Sequence, residues 1–462
     1  MLPTKKHTAG LVLDQFFNHL PLNYELVTYN IQSATLPTYG VSSRITGKMR
    51  WTPKPAESWM APMFAKNWLE KLAHFESKLI SKDILREISQ QRPDCIFVVL
   101  QGQTMFRIAI QLHQNGIEFS TFHWDPLSWW QIHNKARSGV LRLLEEVVPA
   151  LNSGGVHILP SANFAEYLQL DSGNHVVLNL AQERMENERI EQDDLFRICF
   201  SGQSYAKKEI DFFLESMEQI NWKIDDFEVE LHVFGNAFLG KSTNIFHHGW
   251  VDPSELIKQL SNFDCALLPY PSDKEFNEVA KYSFPSKFST YMAASLPVMF
   301  IGSELNPFSK KQKEAIFPVY ELKIEMMIEA IKSLKHSRTR FTNPIPEIFH
   351  SNFSTEAQKL VVEEFLRLQS SKHILTKSTL GIWGNRQSRD GQYFKYPSAS
   401  LLIAKYLSKF HFVLFSLLGH LMSRAKTLFS RLLNSKGRAL GGFIGLFHYG
   451  LLRFLHKLDF RK

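Results

Sequence analysis

Residues 284–300 read FPSKFSTYMAASLPVMF, and the fold of the chain turns on how they are taken. A Pro-Ser-Lys turn (Pro285, Ser286, Lys287) opens a helix. Small residues, Ser289, Ala293, Ala294 and Ser295, run along it, Leu296-Pro297 stops it, and an apolar strand follows over 298–301. A helix start exposes free backbone N–H groups and the positive end of the helix dipole, and Lys287 adds a mobile cation in the first turn. Small side chains let the helix approach a neighbouring backbone or a flat ligand closely. The stretch is therefore a candidate site for the diphosphate of a nucleotide. The alternative is an ordinary buried helix–strand unit with a surface lysine, and the neighbouring segments must decide.

Working outward, strands and helices alternate. Upstream lie a strand over 264–268 and the run Asp252-Pro253-Ser254-Glu255, which places an N-cap, a Pro at the first helical position and an acid at the third. Before these come strands over 245–251 and 228–234, the latter ending in Gly235. A helix over 207–220 carries Ile210, Phe213, Leu214 and Met217 on one face, and a strand over 197–200 runs into Ser201-Gly202-Gln203. The N-terminal half repeats the rhythm. CIFVVL (95–100) is a continuous apolar run between Arg-Pro-Asp and Gln-Gly-Gln, as a strand buried on both faces requires. A helix over 105–114 leads to a strand over 118–122 that ends in His123-Trp124-Asp125-Pro126, and strands over 155–159 and 175–178 flank a helix over 162–168. This alternation predicts parallel βαβ units in two α/β domains.

The expected boundaries are an N-terminal domain over 1–182, a polar linker over 183–194, a second domain over 195–370 and a tail over 371–462. The body closes with an amphipathic helix over 354–368. The beginning departs from the pattern. A helix over 11–20 has no buried strand ahead of it, a strand is expected over 24–29, residues 31–59 are turn-rich and basic, and 67–87 is a plausible amphipathic helix.

Composition supports the same division. A chain of 462 residues with 44% hydrophobic and 21% charged residues is a globular protein too long for one core. Cys95, Cys199 and Cys265 are far apart and sit in apolar runs, which suggests buried reduced thiols, and no zinc spacing exists. The first ten residues carry no apolar stretch of the signal-peptide kind. Charge is unevenly spread: the tail holds sixteen Lys and Arg against two Asp and Glu, leaving 37 basic and 43 acidic residues in the body.

That asymmetry points to an anionic partner for the tail alone. Leu421, Met422, Ala425, Leu428, Phe429, Leu432 and Leu433 line one helical face, with Arg424, Lys426 and Arg431 off it. Neither this run nor 446–458 reaches the ~20 uninterrupted apolar residues of a membrane span. Basic helices with leucine and aromatic faces fit an interfacial membrane anchor, the alternative being a helical hairpin packed on the body. Nucleic acid is not expected, since no groove-reading motif is evident.

The second α/β series resembles the C-terminal domain of GT-B-fold glycosyltransferases, in particular the family-four and related bacterial enzymes. The likeness is carried by ICFSGQ, LHVFGN, HHGWVDPSELIKQLSNFDCALLPY and FPSKFSTYMAASLPV in that order, and covers 196–305. It implies two Rossmann-like domains facing across a cleft, with a basic helical tail. It also implies a metal-independent hexosyltransferase with a nucleotide-sugar donor and no further cofactor. Ser201, Gly202, Gln203 and Gly235 would line the cleft floor. Lys207 or Lys208 would stand where the family keeps a lysine for the diphosphate. His248, Gly249, Trp250 and Val251 would frame the nucleobase. Pro285, Ser286 and Lys287 would hold phosphate oxygens, and Gly10 would be a remnant of the glycine loop. Two Glu of many relatives are replaced by Tyr282 and Thr290, the latter at the ribose side; Gln203 replaces Arg and Ser295 replaces Gly.

In the N-terminal domain His123 stands where relatives often keep a His near the reacting sugar; Asp125 would be the base of an inverting enzyme, whereas in a retaining one His123 would position the sugar, the alternative being a buried, hydrogen-bonded histidine. The loop 123–130, HWDPLSWW, offers aromatic faces for sugar rings, or its Trp129 and Trp130 fill the domain interface. The tail suggests a cytoplasmic protein, peripheral at the inner membrane face, with a lipid-linked or surface-polysaccharide acceptor. Two other readings share the cleft: a sugar-nucleotide epimerase, and a non-catalytic scaffold partner in polysaccharide biosynthesis.

Overall fold

A computed structural model describes residues 8–20 and, with short breaks, 96–376, together with strands β1 (Thr28–Asn30) and β2 (Ser43–Ile45) and parts of 78–90. The basic tail beyond Thr376, Cys95, Trp129, Trp130 and most of the linker (187–193) lie outside the described residues.

The N-terminal domain is a parallel sheet in the order β3-β4-β5-β6, built from Phe97–Val99, Ser120–Phe122, His157–Leu159 and His175–Val177. Helices α1 (Thr8–Asn18), α2 (Gln103–Gln114), α3 (Ser138–Asn152) and α4 (Asn163–Leu168) cover it. β4 and β5 are buried at every position, as continuous apolar strands between helical layers should be.

The C-terminal domain contains β7 (Leu195–Ser201), α5 (Lys207–Gln219), β8 (Lys223–Ile224), β9 (Phe227–Phe234), β10 (Ile245–Gly249), α6 (Pro253–Leu260) and β11 (Cys265–Pro269). It continues through α7 (Asn277–Tyr282), α8 (Lys287–Ala293), β12 (Val298–Ile301) and β13 (Ile316–Val319). Its sheet order is β10-β9-β7-β11-β12-β13, with β8 antiparallel on β9 and the rest parallel. In chain order this is 3-2-1-4-5-6, so the winding reverses between β7 and β11. A doubly wound sheet opens a crevice at that reversal, beyond the carboxyl ends of the strands.

Four further helices follow: α9 (Ile324–His336), α10 (Arg338–Thr342), α11 (Ile345–Asn352) and α12 (Thr355–Thr376). The last of them does not stay with its sequence neighbours. Val362, Phe365 and Leu368 of α12 pack in one cluster with Val12, Leu13, Phe16, Phe122 and Ile158. Gln369 Oε1 accepts from Ser120 Oγ at 2.9 Å, in the N-terminal sheet. Chain order assigned this helix to the second domain; its apolar face belongs to the first. The N-terminal core is thus completed by residues more than 200 positions away. The segment expected as linker starts anchored rather than loose: Met185 N–H donates to the Ala293 carbonyl at 2.7 Å, and Arg184 Nε to Ser295 Oγ at 3.1 Å.

Candidate donor site at the interdomain cleft

The floor of the crevice is made of glycines. Gly202, Gly235 and Gly249 end the neighbouring strands β7, β9 and β10, with φ of +87°, +103° and +71°. Side-chain-bearing residues adopt this region only with strain, so three chain turns in register demand glycine. The turns are tied together: Gly202 N–H donates to the Phe234 carbonyl at 2.8 Å and Gly235 N–H to the Gly249 carbonyl at 2.6 Å. A Cβ on Gly235 would meet the Gly202 Cα at 3.3 Å, and one on Gly202 would meet Cε of Lys287 at 3.2 Å. The lysine stem therefore lies against this floor.

Lys287 is the first residue of α8, which has only seven residues, so the anion-binding character rests on the lysine more than on a long helix dipole. Below it, the side chains of α8 are buried: Phe288, Tyr291 and Met292 lie in the core, and the Tyr291 hydroxyl donates to the Leu267 carbonyl at 3.2 Å. Nζ of Lys287 donates to the Gln203 carbonyl at 2.6 Å and stands 4.0 Å from the Phe200 ring centroid and 5.3 Å from that of Tyr205. Among the described residues no carboxylate pairs with it. Desolvation without a counter-charge disfavours the ammonium and brings its pKa down to about 7.

The facing wall comes from the other domain. Asp125, just beyond β4, accepts from Ser283 Oγ at 3.0 Å, and the Ser283 carbonyl accepts from Tyr270 Oη at 2.8 Å. The Tyr270 and Tyr205 rings meet edge to face at 6.0 Å. Lys287, Tyr205, Tyr270, Ser283 and Asp125 thus form one continuous line across the cleft. Burial raises the Asp125 carboxyl to about 6, against the opposing pull of the Ser283 hydrogen bond. His123 ends the same strand and is 1% exposed, with Nε2 2.7 Å from Thr121 Oγ1. Burial, reinforced by His157, holds its imidazole well below the usual range, hence neutral.

Next to this line the domains are stitched together by α4 and α7. Ser161 Oγ donates to the Tyr282 carbonyl at 2.7 Å, Lys281 Nζ pairs with Glu166 at 2.9 Å, and the Tyr282 ring lies 4.9 Å from that of Tyr167. Tyr282 spends its side chain on the interdomain contact.

The remaining expected residues fall in several places. Lys207 pairs with Asp211, and Lys208 with Asp273 at 2.7 Å, and both line, together with Tyr205, an open groove of about 600 Å³. Glu209, buried between them, fixes the groove's rim by accepting from Ser272 N–H at 2.8 Å. Thr290 Oγ1 accepts from Gln182 Nε2 at 3.3 Å. His248 stacks on Phe234 at 4.4 Å and shares a 2.9 Å hydrogen bond with His232, while Trp250 beside it is 70% exposed. Val251 packs on the α6 side of the core. Gly10 is buried inside α1, not in a loop. Ser201, Gly202, Gln203, Gly235, Gly249, Pro285, Ser286 and Lys287 are therefore brought together, and Asp125 faces them; Lys207 and Lys208 line the groove on which Tyr205 also opens, each held by an acidic partner, and Gly10 stands apart. Tyr205, Tyr270, Ser283, Thr121 and His157 were not singled out in the sequence. Ser283, directly before the FPSK motif, and Tyr270, the last residue of the CALLPY run, carried a positional hint.

Residues 213–305 match the family model of the Glucosyltransferase 3-like C-terminal domain. No curated protein matches the chain. Among solved structures the chain is similar to sucrose-phosphate synthase from Thermosynechococcus elongatus. They are 12% identical with a TM-score of 0.53, over 80% of this chain and 93% of that one. Anabaena HepE, solved with UDP and glucose, is 12% identical over 81% of this chain and 97% of that one, with a TM-score of 0.46. The α,α-trehalose 6-phosphate synthase from Burkholderia multivorans is 10% identical, covering 78% and 92%, with a TM-score of 0.49. The first of these likenesses establishes the architecture: the chain has the two-domain GT-B glycosyltransferase fold.

Proposed function

We propose that this protein transfers a hexosyl group from a nucleotide sugar to a glycan or lipid-linked acceptor. The observation that carries the reading is Lys287: a cation with no carboxylate partner among the described residues, laid on a glycine floor at the switch point of a doubly wound sheet. A diphosphate against Lys287 finds its counter-charge there. As the glycosidic bond breaks, negative charge grows on the leaving diphosphate, and a fixed cation stabilises that growth without needing a metal ion. The sugar then reaches toward the other domain, where Asp125 and His123 stand. A carboxyl with its pKa near 6 is a competent base for an acceptor hydroxyl at neutral pH. The neutral imidazole of His123 suits an uncharged sugar hydroxyl better than a phosphate. His248 and exposed Trp250 offer flat surfaces for a base. The basic tail anchors the body to the anionic inner face of the membrane and so brings it to a lipid-linked acceptor.

Binding measured against a panel of UDP-, GDP- and ADP-sugars, followed by turnover with glycan and lipid-linked acceptors, tests this. Failure of every nucleotide sugar to bind ends the proposal. Binding without turnover, paired with the use of Tyr282 as interdomain packing, favours the scaffold reading instead.

A further inference from the structure

The edge of the C-terminal sheet carries an ionisable chain apart from Lys287 and Asp125. Among the described residues β10 ends the sheet order, and positions 246–249 are exposed. His247 pairs with Val233 and Gly249 with Phe234, so His248 between them is the extra residue of a bulge. Nε2 of His248 stands 2.9 Å from Nδ1 of His232 on β9, and Nε2 of His232 stands 3.1 Å from Glu230 Oε2. The two imidazole planes lie 14° apart with centroids 5.2 Å apart, little more than the N···N distance plus two ring radii. The hydrogen bond therefore runs edge to edge, in the planes of both rings. Phe246 and Phe263 flank His232 at 4.8 and 4.7 Å, and Phe234 covers His248 at 4.4 Å.

Hydrogens on this chain are ordered from its inner end. A carboxylate only accepts, so neutral His232 keeps its hydrogen on Nε2 and leaves Nδ1 bare. Nε2 of His248 must then donate, and Nδ1 of His248 is bare in turn. With one added proton, Nδ1 of His248 carries a hydrogen whichever ring holds the charge, because the single hydrogen between the rings only changes sides. With a second, both rings point hydrogens at each other and the contact cannot persist. Burial lowers both imidazoles from the usual range; Glu230 raises His232 again, while His248 and Arg197 of β7 lower it further, and His247 lowers His248. One residue beyond the pair, the Gly249 carbonyl accepts from Gly235 N–H at 2.6 Å, so the bulge is tied to the floor of the crevice.

We infer that Glu230, His232 and His248 form a two-step acid switch at this edge of the sheet. The first proton turns the outer nitrogen of His248 from an acceptor into a donor. The second parts the two rings and frees the bulge, and with it the bond between Gly249 and Gly235. The switch rests on the hydrogen bonds of the chain itself and not on what the crevice binds.

The first step is tested on the full chain labelled with ¹⁵N-histidine, the two rings being assigned by their loss in His232→Phe and His248→Phe. At neutral pH Nδ1 of His248 should be bare. On acidification the shifts of both rings should move together at one midpoint below the ordinary histidine value, since the pair titrates as a unit. In His232→Phe, His248 should titrate alone. A hydrogen already on Nδ1 of His248 at neutral pH, or two independent midpoints that removing the other ring leaves unmoved, overturns the switch. Hydrogen exchange tests the second step. An opening that takes up one proton grows about tenfold per pH unit, so protection of the Gly235 amide should fall at that rate below the second midpoint. The Ala266 amide, bonded to the Pro297 carbonyl at 2.9 Å inside the sheet, should stay protected, which separates edge release from global unfolding. In His248→Phe, which keeps a ring on Phe234 without a charge, Gly235 protection should not follow pH. Protection of Gly235 that persists in acid, that falls equally in His248→Phe, or that is lost together with Ala266 overturns the release of the turn.

Discussion

Replacing Lys287 tests the proposed site most directly, because the structure gives the residue two opposed roles. In the free protein the ammonium is half desolvated against the Phe200 and Tyr205 rings, with only the Gln203 carbonyl as hydrogen-bond acceptor. Its pKa has fallen to about 7. A bound diphosphate supplies the missing charge and returns the pKa toward its ordinary value. Above pH ~7 binding must then take up a proton. At pH 8 a lysine with a pKa of about 7 is only about one-tenth protonated, so uptake approaches about 0.9 proton per site. The sign follows: affinity is flat below about pH 7 and weakens up to about tenfold per pH unit above it. Nucleotide sugars do not themselves titrate in this window, so titration calorimetry in two buffers of different ionisation enthalpy reads the uptake directly. Lys287→Ala should abolish the proton uptake and weaken binding by the worth of one charge-assisted hydrogen bond, about 1.5–3 kcal/mol or roughly 10-fold to 150-fold in Kd. Lys287→Met, which fills the same space without a buried charge, should raise the Tm of the free protein while weakening binding equally. An unchanged Kd, or pH-independent binding in the parent between pH 6.5 and 8.5, would refute the assignment.

Gly235→Ala forces an alanine to a φ of +103° and sets its Cβ 3.3 Å from backbone atoms of Gly202. The strain, about 1–3 kcal/mol, should appear as a lower Tm, and the displaced β7 turn as a loss of nucleotide binding. Ser283→Ala removes the one hydrogen bond that lowers the Asp125 carboxyl, whose pKa is already raised to about 6 by burial. The carboxylate then persists only at higher pH, so the acid limb of kcat/KM should move upward, and an unmoved limb removes Asp125 from the base role. Ending the chain at Thr376 keeps α12 on the N-terminal core but removes most of the basic tail, and should abolish sedimentation with anionic vesicles while leaving nucleotide affinity unchanged.

How much of this was legible in the sequence differs between the two halves for physical reasons. The C-terminal sheet announces itself because its central strands β11 and β12 are buried on both faces and so read as uninterrupted apolar runs, 264–268 and 298–301. The glycines at 202, 235 and 249 follow from strand ends, which are visible. The pairings are not. Nothing local says that Lys208 already has an acidic partner, because Asp273 joins it from 65 positions away, whereas the Lys207–Asp211 pair lies within one helix turn. Helix α3 escaped notice although SGVLRLLEEVVPALN is amphipathic, since Pro149 lies within it; the residue sits in the last turn, where it costs little. The destination of α12 was hidden for a different reason: its apolar stripe is equally compatible with either domain, and only the geometry of the crossover selects one.

The replaced Glu pair, which the sequence presents only as a loss, acquires a positive explanation from the interdomain contact. A carboxylate at position 282 would lie beside the Phe164 and Tyr167 rings and forgo the ring contacts made there. Tyr282 instead adds its ring to that cluster and gives its backbone carbonyl to Ser161, while its neighbours Lys281 and Ser283 reach Glu166 and Asp125. Three consecutive residues of the C-terminal domain thus hold the N-terminal domain at the point where the line from Lys287 to Asp125 crosses the cleft. Position 282 thus helps hold the two domains in register. On that account the strength of the domain contact and the geometry around Asp125 are set by the same three residues, and weakening one must disturb the other.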